Sequence, residues 1–368
     1  MTANKEQLVD KLRRAKDGDP VERQRERDRT KAHEREYVEA LKEHSFRKFL
    51  TELVRDNVRP LDKPAYKPPR KASKSGHKRY PLLTLNDWHF EEKVNPEGVL
   101  GLNEYSIATA CRRVHRIVNA CIAWKVDMES GGQYVMPELV IAGLGDMVTG
   151  TLHNLEKHSG APNIVRAALA CGDLFALAIS DLAGEFGKVT VHGVSGNHGR
   201  LPDDRKVPTK DPTRSWDYLV YATAARRLAH DDRVTFNIPN GYGHLFHVGS
   251  HHCYMAHGNF IPNNLGVVGY GVRRFAASLG SNLSAAGKPL KYCFFGHWHS
   301  AHGSEFAGME CFIAPSLIGT QEYSFLQGGS VNRPAQSLFV FGEEHGLLSQ
   351  ERLYGDGKGY KGSYKVDL

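Results

Sequence analysis

Residues 188–198 read KVTVHGVSGNH, a β-branched run that ends abruptly in glycine, asparagine and histidine. Alternating β-branched residues predict a strand, and the glycine beyond them predicts a turn at its carboxyl end. The same texture recurs four times. Asp87-Trp88-His89 follows LLTLN (82–86), and Gly145-Asp146 follows ELVIAG (138–143). His257-Gly258 follows HCYMA (252–256), and Gly296-His297-Trp298-His299 follows KYCFF (291–295). Further strands are expected at 233–238, 244–249, 309–314 and 336–341, with helices at 104–125, 162–183, 212–230 and about 267–286. Strands alternating with helices predict an α/β architecture, and the late cluster of strands predicts a second sheet packed on the first.

In open α/β sheets the carboxyl ends of strands face the ligand crevice. The five loops therefore carry two aspartates, an asparagine and several histidines toward one place. Each piece alone is weak, since a single Asp-x-His or a Gly-Asp turn occurs by chance and a lone histidine is usually a packed core residue. In combination they offer the mixed oxygen and nitrogen donors of a dinuclear metal site. The spacing fits one domain: 59 residues from Asp87 to Asp146, 51 to Asn197, 60 to His257 and 40 to His297.

In this order, DxH, GD, GNH, H-G and GHxH, the motifs resemble those of the calcineurin-like metallophosphoesterases, over about residues 82–350. The stretches GLNEY (101–105) and QEY (321–323) are similar to those of phage-encoded members, and more distantly the chain resembles the nuclease branch of the family. The resemblance implies a four-layer α-β-β-α sandwich of two mixed sheets flanked by helices. It implies a first metal bound by Asp87, His89 and His299, a second bound by Asn197, His257 and His297, and Asp146 bridging both. His198 is then the residue that stabilises the transition state or protonates the leaving oxygen. Two divalent ions that share an anion lower the pKa of a bound water and offset charge on the phosphoryl group, so no serine or cysteine nucleophile is needed. Ser195 is accordingly read as a loop residue. Mn²⁺ is the first choice of metal, with Fe, Zn or Ni able to use the same donors.

The chain departs from the family pattern in two places. The acid that commonly follows GNH is replaced by Gly199, so His198 must be oriented by something else, and Arg200 beyond it becomes a candidate phosphate clamp. Three residues after Asp146 stands Thr149 rather than the tyrosine of the purple acid phosphatases, so an iron–tyrosinate site is not expected. Arg205, Lys206, Lys210, Arg273 and Arg274 are further candidates for attracting a polyanion. His251 and His252 are rivals to His257, which is preferred because it ends its apolar run and precedes glycine.

Charge divides the chain. Residues 1–80 hold 23 Lys+Arg against 14 Asp+Glu, a net of +9, whereas the remaining 288 hold 25 against 27. A charged helical extension is expected over 1–56, with Val38, Leu41, Phe46, Phe49, Leu50, Leu53 and Val54 on one stripe that docks on the main domain or on a second copy. A Pro/Lys-rich linker is expected over 57–80, the catalytic domain over 81–355 and a tail over 356–368. The basic segment favours DNA as partner, and so a phosphodiesterase or nuclease acting on DNA. The alternatives are a phosphomonoesterase or small-nucleotide phosphodiesterase, and a non-catalytic assembly protein. No run of about 18 apolar residues and no apolar leader occurs, so no membrane association is expected. Six scattered cysteines without a CxxC pair suit a reducing cytoplasm, the host's if the chain is phage-encoded.

Overall fold

Alternation along the strands builds the centre of the molecule. Cys253 and Met255 of β7 (His251–Ala256) and Tyr292 and Phe294 of β8 (Tyr292–Phe295) point into one apolar layer. Their neighbours Tyr254, Ala256, Cys293 and Phe295 point into another. A period of two gives each strand two buried faces, so the sheet must be covered on both sides.

In the computed structural model the described residues are 27–28, 31–32, 48–55, 58–61, 76–150, 160–201, 211–262, 268–306, 308–357 and 359–368. They fall into a unit ending at Thr51 and a unit from Glu52 to Leu368. Of the first unit, residues 27–28, 31–32 and 48–51 are helical. Val38, Leu41 and Phe46 of the expected amphipathic stripe, the linker from 62 to 75, and Arg205, Lys206 and Lys210 lie outside the described residues.

The second unit contains two mixed sheets. The first runs β12 (Gly346–Tyr354), β11 (Ala335–Gly342), β1 (His77–Leu85), β3 (Leu139–Gly143), β4 (Val189–Gly193) and β5 (Val234–Asn237), with the short β2 (Tyr134–Val135) beside β1. Strands β1, β3, β4 and β5 are parallel, and β11 and β12 are antiparallel additions. The second sheet runs β6 (Gly243–Val248), β7, β8, β10 (Met309–Ile313) and β9 (His302–Phe306), with β7, β8 and β10 parallel. Leu82, Val140, Phe339 and Phe341 from the first sheet meet Phe246, Met255, Phe294 and Phe312 from the second in the layer between them.

Helices close the outer faces. α1 (Ile107–Ser130), α2 (Ile164–Phe186) and α3 (Trp216–Arg227) pack on the first sheet, and α4 (Val268–Ala285) packs on the second. α5 (Glu322–Gly328) lies against a 3-10 turn at Pro96–Val99. Ser106, Asn163 and Ser215 cap the first three helices, each side-chain oxygen accepting a first-turn N–H. α2 is long and apolar enough to cross a bilayer, but 72% of its apolar window is buried inside the protein, where it serves as a core helix. The architecture is the expected four-layer α-β-β-α sandwich.

Three differences from the sequence expectation follow from strand pairing. β11 and β12 return to the first sheet, so the residues after His299 complete both sheets rather than the second alone. β9 and β12 were not expected because HGSEF and GLLSQERLY lack a clean alternation, and their antiparallel partners hold them in register. β1 starts at His77 rather than 82, its basic first residues pairing with β2 and β11.

One titratable pair joins the sheets. His192 Nδ1 on β4 lies 3.0 Å from His244 Nε2 on β6. Burial, with the neighbouring His244 and His247, lowers His192 to about 4 from an ordinary 6.5. Below pH 6.5 the unfolded chain takes up a proton that the folded chain refuses, so this contribution is complete above about 6.5 and is lost as pH falls toward 4. Urea midpoints measured from pH 7 down to 4.5 should fall over that window, and His192→Gln should flatten the decline.

Candidate metal centre

Six non-glycine residues among those described adopt positive φ. Five of them are Asp87 (48°), His89 (44°), Asp146 (49°), His297 (72°) and His299 (59°), the sixth being Leu100. Each such conformation costs of order 1–3 kcal/mol and persists only where the surroundings over-determine it. The chain leaves each strand and turns at once in the left-handed region, which aims these side chains back across the strand ends.

They converge as two clusters. Asp87, His89 and His299 place one donor atom each within 4.8 Å of one another, and so do Asp146, His257 and His297. A third grouping, His89, Asp146 and His198, links them through Asp146. His299 Nε2 lies 3.3 Å from Asp87 Oδ1 and 3.3 Å from His89 Nε2. His257 Nε2 lies 2.8 Å from Asp146 Oδ2 and 3.1 Å from Asn197 Oδ1. The structure thus brings together all eight residues singled out from the five motifs.

The neighbours of the rings fix which nitrogen faces the centre. His257 Nδ1 donates to the Leu144 carbonyl at 2.7 Å, which directs the Nε2 atom at Asp146 and Asn197. Thr149 Oγ1 donates to Glu92 Oε2 at 3.0 Å, so His89 Nδ1, 3.2 Å away, donates to that oxygen and turns its Nε2 inward. His198 Nδ1 donates to the Thr149 carbonyl at 3.2 Å, and its backbone N–H donates to Asp146 Oδ1 at 2.7 Å. The Thr149 backbone therefore does the orienting that the absent acid at 199 does not. A Cβ on Gly199 would meet Ser215 Oγ at 2.6 Å and Asp217 Cγ at 3.1 Å, so an acid has no room there.

Inward-facing imidazole nitrogens and acceptor oxygens at about 3 Å repel unless a cation lies among them. One such cation is a proton: burial lowers His257, but Asp146 outweighs it and the imidazole rises to about 9. The other is a divalent ion on the same atoms, and nitrogen mixed with carboxylate and amide oxygen suits first-row ions. Burial holds His297 down at about 3 and His89 well below its ordinary value, leaving both as neutral donors. Burial alone would raise Asp87 and Asp146, but the facing imidazoles bring both below the ordinary carboxylate value.

The remaining candidates are placed as follows. Arg200 donates through Nε to the Asn197 carbonyl at 3.0 Å, bracing its own loop. Ser195 donates to the Pro212 carbonyl at 2.9 Å, a loop contact. His251 bonds the Gly342 carbonyl and packs on Tyr292 and Phe341, and His252 packs on His247, so neither rival joins the clusters. Arg273 and Arg274 are exposed on α4. Asn103 of GLNEY donates to the Ile318 and Thr320 carbonyls just before QEY, so these two stretches meet.

Several residues had no signal in the sequence. Asp217 accepts the N–H groups of Asp146, Met147 and Gly196, and Tyr221 bonds Gly145 and Val194. Glu91 accepts the N–H groups of Thr149 and Gly150. Gln336 accepts the Asn86 N–H at 2.7 Å, and Asn86 donates to Asp87 Oδ2 at 2.6 Å. In sequence Asp217 reads as an ordinary acid in the first turn of a capped helix, and only its partners reveal more.

No protein-family model matches the chain, and no curated protein matches it. Among solved structures, a predicted phosphoesterase from Streptococcus pneumoniae is 10% identical, with a TM-score of 0.30, over 74% of this chain and 98% of that one. Vps29 from Entamoeba histolytica, complexed with zinc, is 10% identical over 75% and 99%, with a TM-score of 0.31. A putative 5'-nucleotidase from Staphylococcus aureus is 12% identical over 78% and 56%, with a TM-score of 0.33. Overlaps this loose add nothing to the chain's own geometry. The layered fold, the motif order and the twin donor clusters keep to the pattern of the calcineurin-like metallophosphoesterases that the chain resembles.

Gly196 shows how tightly the site is closed. A Cβ there would fall 2.1 Å from Asp146 Oδ1 and 2.5 Å from its backbone nitrogen. Gly196→Ala should therefore cost about 3 kcal/mol in a urea unfolding titration, the upper end of the usual cost of overfilling a packed position.

Proposed function

We propose that this protein is a two-metal phosphoesterase, and that its substrate is a phosphodiester, DNA first of all. The observation that carries the reading is the pair of donor clusters, joined by the grouping of His89, Asp146 and His198, with five of their six residues held in costly left-handed conformations. Asp87, His89 and His299 would hold one divalent ion, Asn197, His257 and His297 the other, with Asp146 common to both. When bound, the two ions supply an activated water and offset charge on the phosphoryl oxygens. Mn²⁺ is the ion proposed.

The chain's own part is to orient and to move a proton. His198 keeps one proton on Nδ1 against the Thr149 carbonyl, so a second proton, taken at Nε2, can pass to the departing alkoxide. Asn197 and Arg200 stand on the same loop, where they can meet the phosphate. What supports DNA over a smaller ester is the net +9 of residues 1–80.

Purified protein with added Mn²⁺ would be given linear and circular DNA, single- and double-stranded, and bis-p-nitrophenyl phosphate. Asp146→Asn should abolish turnover of all of them. His198→Ala should cost about 10²–10⁴-fold on DNA, the usual contribution of a general acid, and much less on the activated ester, whose leaving group needs no proton. Turnover of the small diester with every DNA left intact would remove DNA from the proposal.

The contribution of the basic segment is best tested by charge, not by deletion. The Arg59 carbonyl accepts from Arg227, and β1 begins at His77, so cutting at residue 80 would damage the first sheet. Replacing Lys63, Lys67, Arg70, Lys71 and Lys74 by Gln should weaken DNA binding. It should also flatten the dependence of log K on log salt by up to about 0.7–0.9 for each phosphate no longer neutralised. Unchanged binding would assign DNA recognition to another part of the chain.

A further inference from the structure

α3 does more than cover the sheet. Its first residues are bonded to the loop that carries Asn197 and His198: the Trp216 N–H donates to the Gly199 carbonyl at 2.8 Å, and Arg200 and Ser215 form an isolated antiparallel bridge. Asp217 then reaches past this loop into the centre of the domain and is fully buried. Its Oδ2 accepts the Asp146 N–H at 3.0 Å and the Gly196 N–H at 2.8 Å, and its Oδ1 accepts the Met147 N–H at 3.0 Å. One turn further on, on the same helical face, the Tyr221 ring fills the space beside Gly143 and Gly193. Its hydroxyl accepts the Gly145 N–H at 3.3 Å and donates to the Val194 carbonyl at 3.3 Å.

The geometry points to Asp217 as a positioning residue for the second metal site, a role that rests on the two-metal reading above. A single carboxylate ties the loop of the shared ligand Asp146 to the loop of Asn197. The two loops are in contact there, since a Cβ on Gly145 would fall 2.4 Å from the Gly196 nitrogen. The separation of Asp146 from Asn197 is set by the Asp217 carboxylate, which accepts the N–H groups of Asp146 and Gly196, together with the His198 N–H bond to Asp146 Oδ1, with Tyr221 holding the strand ends beneath. Asp217 also occupies the space that a side chain at 199 would need. The acid missing from the third motif is thus matched by an acid delivered from α3, acting on the backbone of the ligand loops rather than on the histidine.

The arrangement has an asymmetric consequence. At the first site the side chains have other partners: Asn86 and the His297 N–H donate to Asp87, Thr149 faces His89, and His299 lies against Asp87. Loss of the Asp217 carboxylate should loosen Asn197 directly and Asp146 with it. The first site should feel only the shift of Asp146, whose loop carbonyls accept the Asp87 and His89 N–H groups, so the second site should lose more than the first. In Asp217→Asn one oxygen becomes an NH2 group, which cannot accept and faces at least one backbone N–H. A residue that merely supported the fold would lower the unfolding midpoint without separating the two sites.

The test is Mn²⁺ titration of the full chain by calorimetry, for the wild type, Asp217→Asn and Tyr221→Phe, with circular dichroism confirming the fold of each. Asp217→Asn is expected to weaken one of the two binding events about 10–100-fold, the usual loss for an outer-shell partner, and to weaken the other by clearly less. Tyr221→Phe, which keeps the ring and loses the hydroxyl, is expected to shift the same event in the same direction by less. Equal Mn²⁺ affinities in the wild type and Asp217→Asn would overturn the assignment, as would equal loss at both sites. If Asp217→Asn does not fold, Tyr221→Phe decides, and wild-type affinities in that variant would overturn it. A wild type that binds no divalent ion would instead defeat the two-metal reading itself.

Discussion

The Asp146 carboxylate is the constraint on which the metal end of this molecule depends. It is buried. Among the described residues the basic groups that act on it are the imidazoles of His257, His198 and His89, and it belongs to two groupings of donors. One oxygen takes the His198 N–H and the other faces His257. Its backbone nitrogen is held by Asp217. A carboxylate so desolvated is tolerable only beside positive charge, and imidazolium or metal must supply it. The low-dielectric setting that makes the arrangement costly also makes the cluster a strong cation site.

The costs are met by the layers behind. Five left-handed ligand residues sit directly after strands whose other residues are locked into sheet ladders and two apolar layers. The strands end in register, β1 with β3 and β3 with β4, so Leu85, Gly143 and Gly193 deliver their loops side by side. The loops then press together so closely that glycine is required at Gly145 and Gly196. Strain at the site and burial behind it belong to one design: the sandwich is rigid enough to hold conformations that an isolated loop would leave.

Orientation of His198 is solved differently from the pattern of the family that the chain resembles. Thr149 acts twice, its hydroxyl taking the His89 proton and its carbonyl taking that of His198. A neutral carbonyl fixes the tautomer of His198 without adding a negative charge beside Asp146. Glu91 and Glu92 stand behind this pair, and burial raises Glu92 to about 7, so the charge there is modest in the absence of a cation.

The layered α/β architecture and the set of candidate donors were legible in the chain because both are written locally. A strand is a short alternating run, a loop begins at its glycine, and Asp87, His89, Asp146, Asn197, His257, His297 and His299 each follow a strand by one to four residues. The supporting residues were not legible, because their roles lie in partners far along the chain. Asp217 bonds backbone atoms 71, 70 and 21 residues away, and Gln336 reaches Asn86 across 250. The return of β11 and β12 to the first sheet is of the same kind, since alternation states that a strand forms and not which edge it joins. By itself the sequence determined which candidate residues come together at the strand ends. Only the tertiary structure decided how they are held, because backbone hydrogen bonds between distant loops leave no mark on residue type.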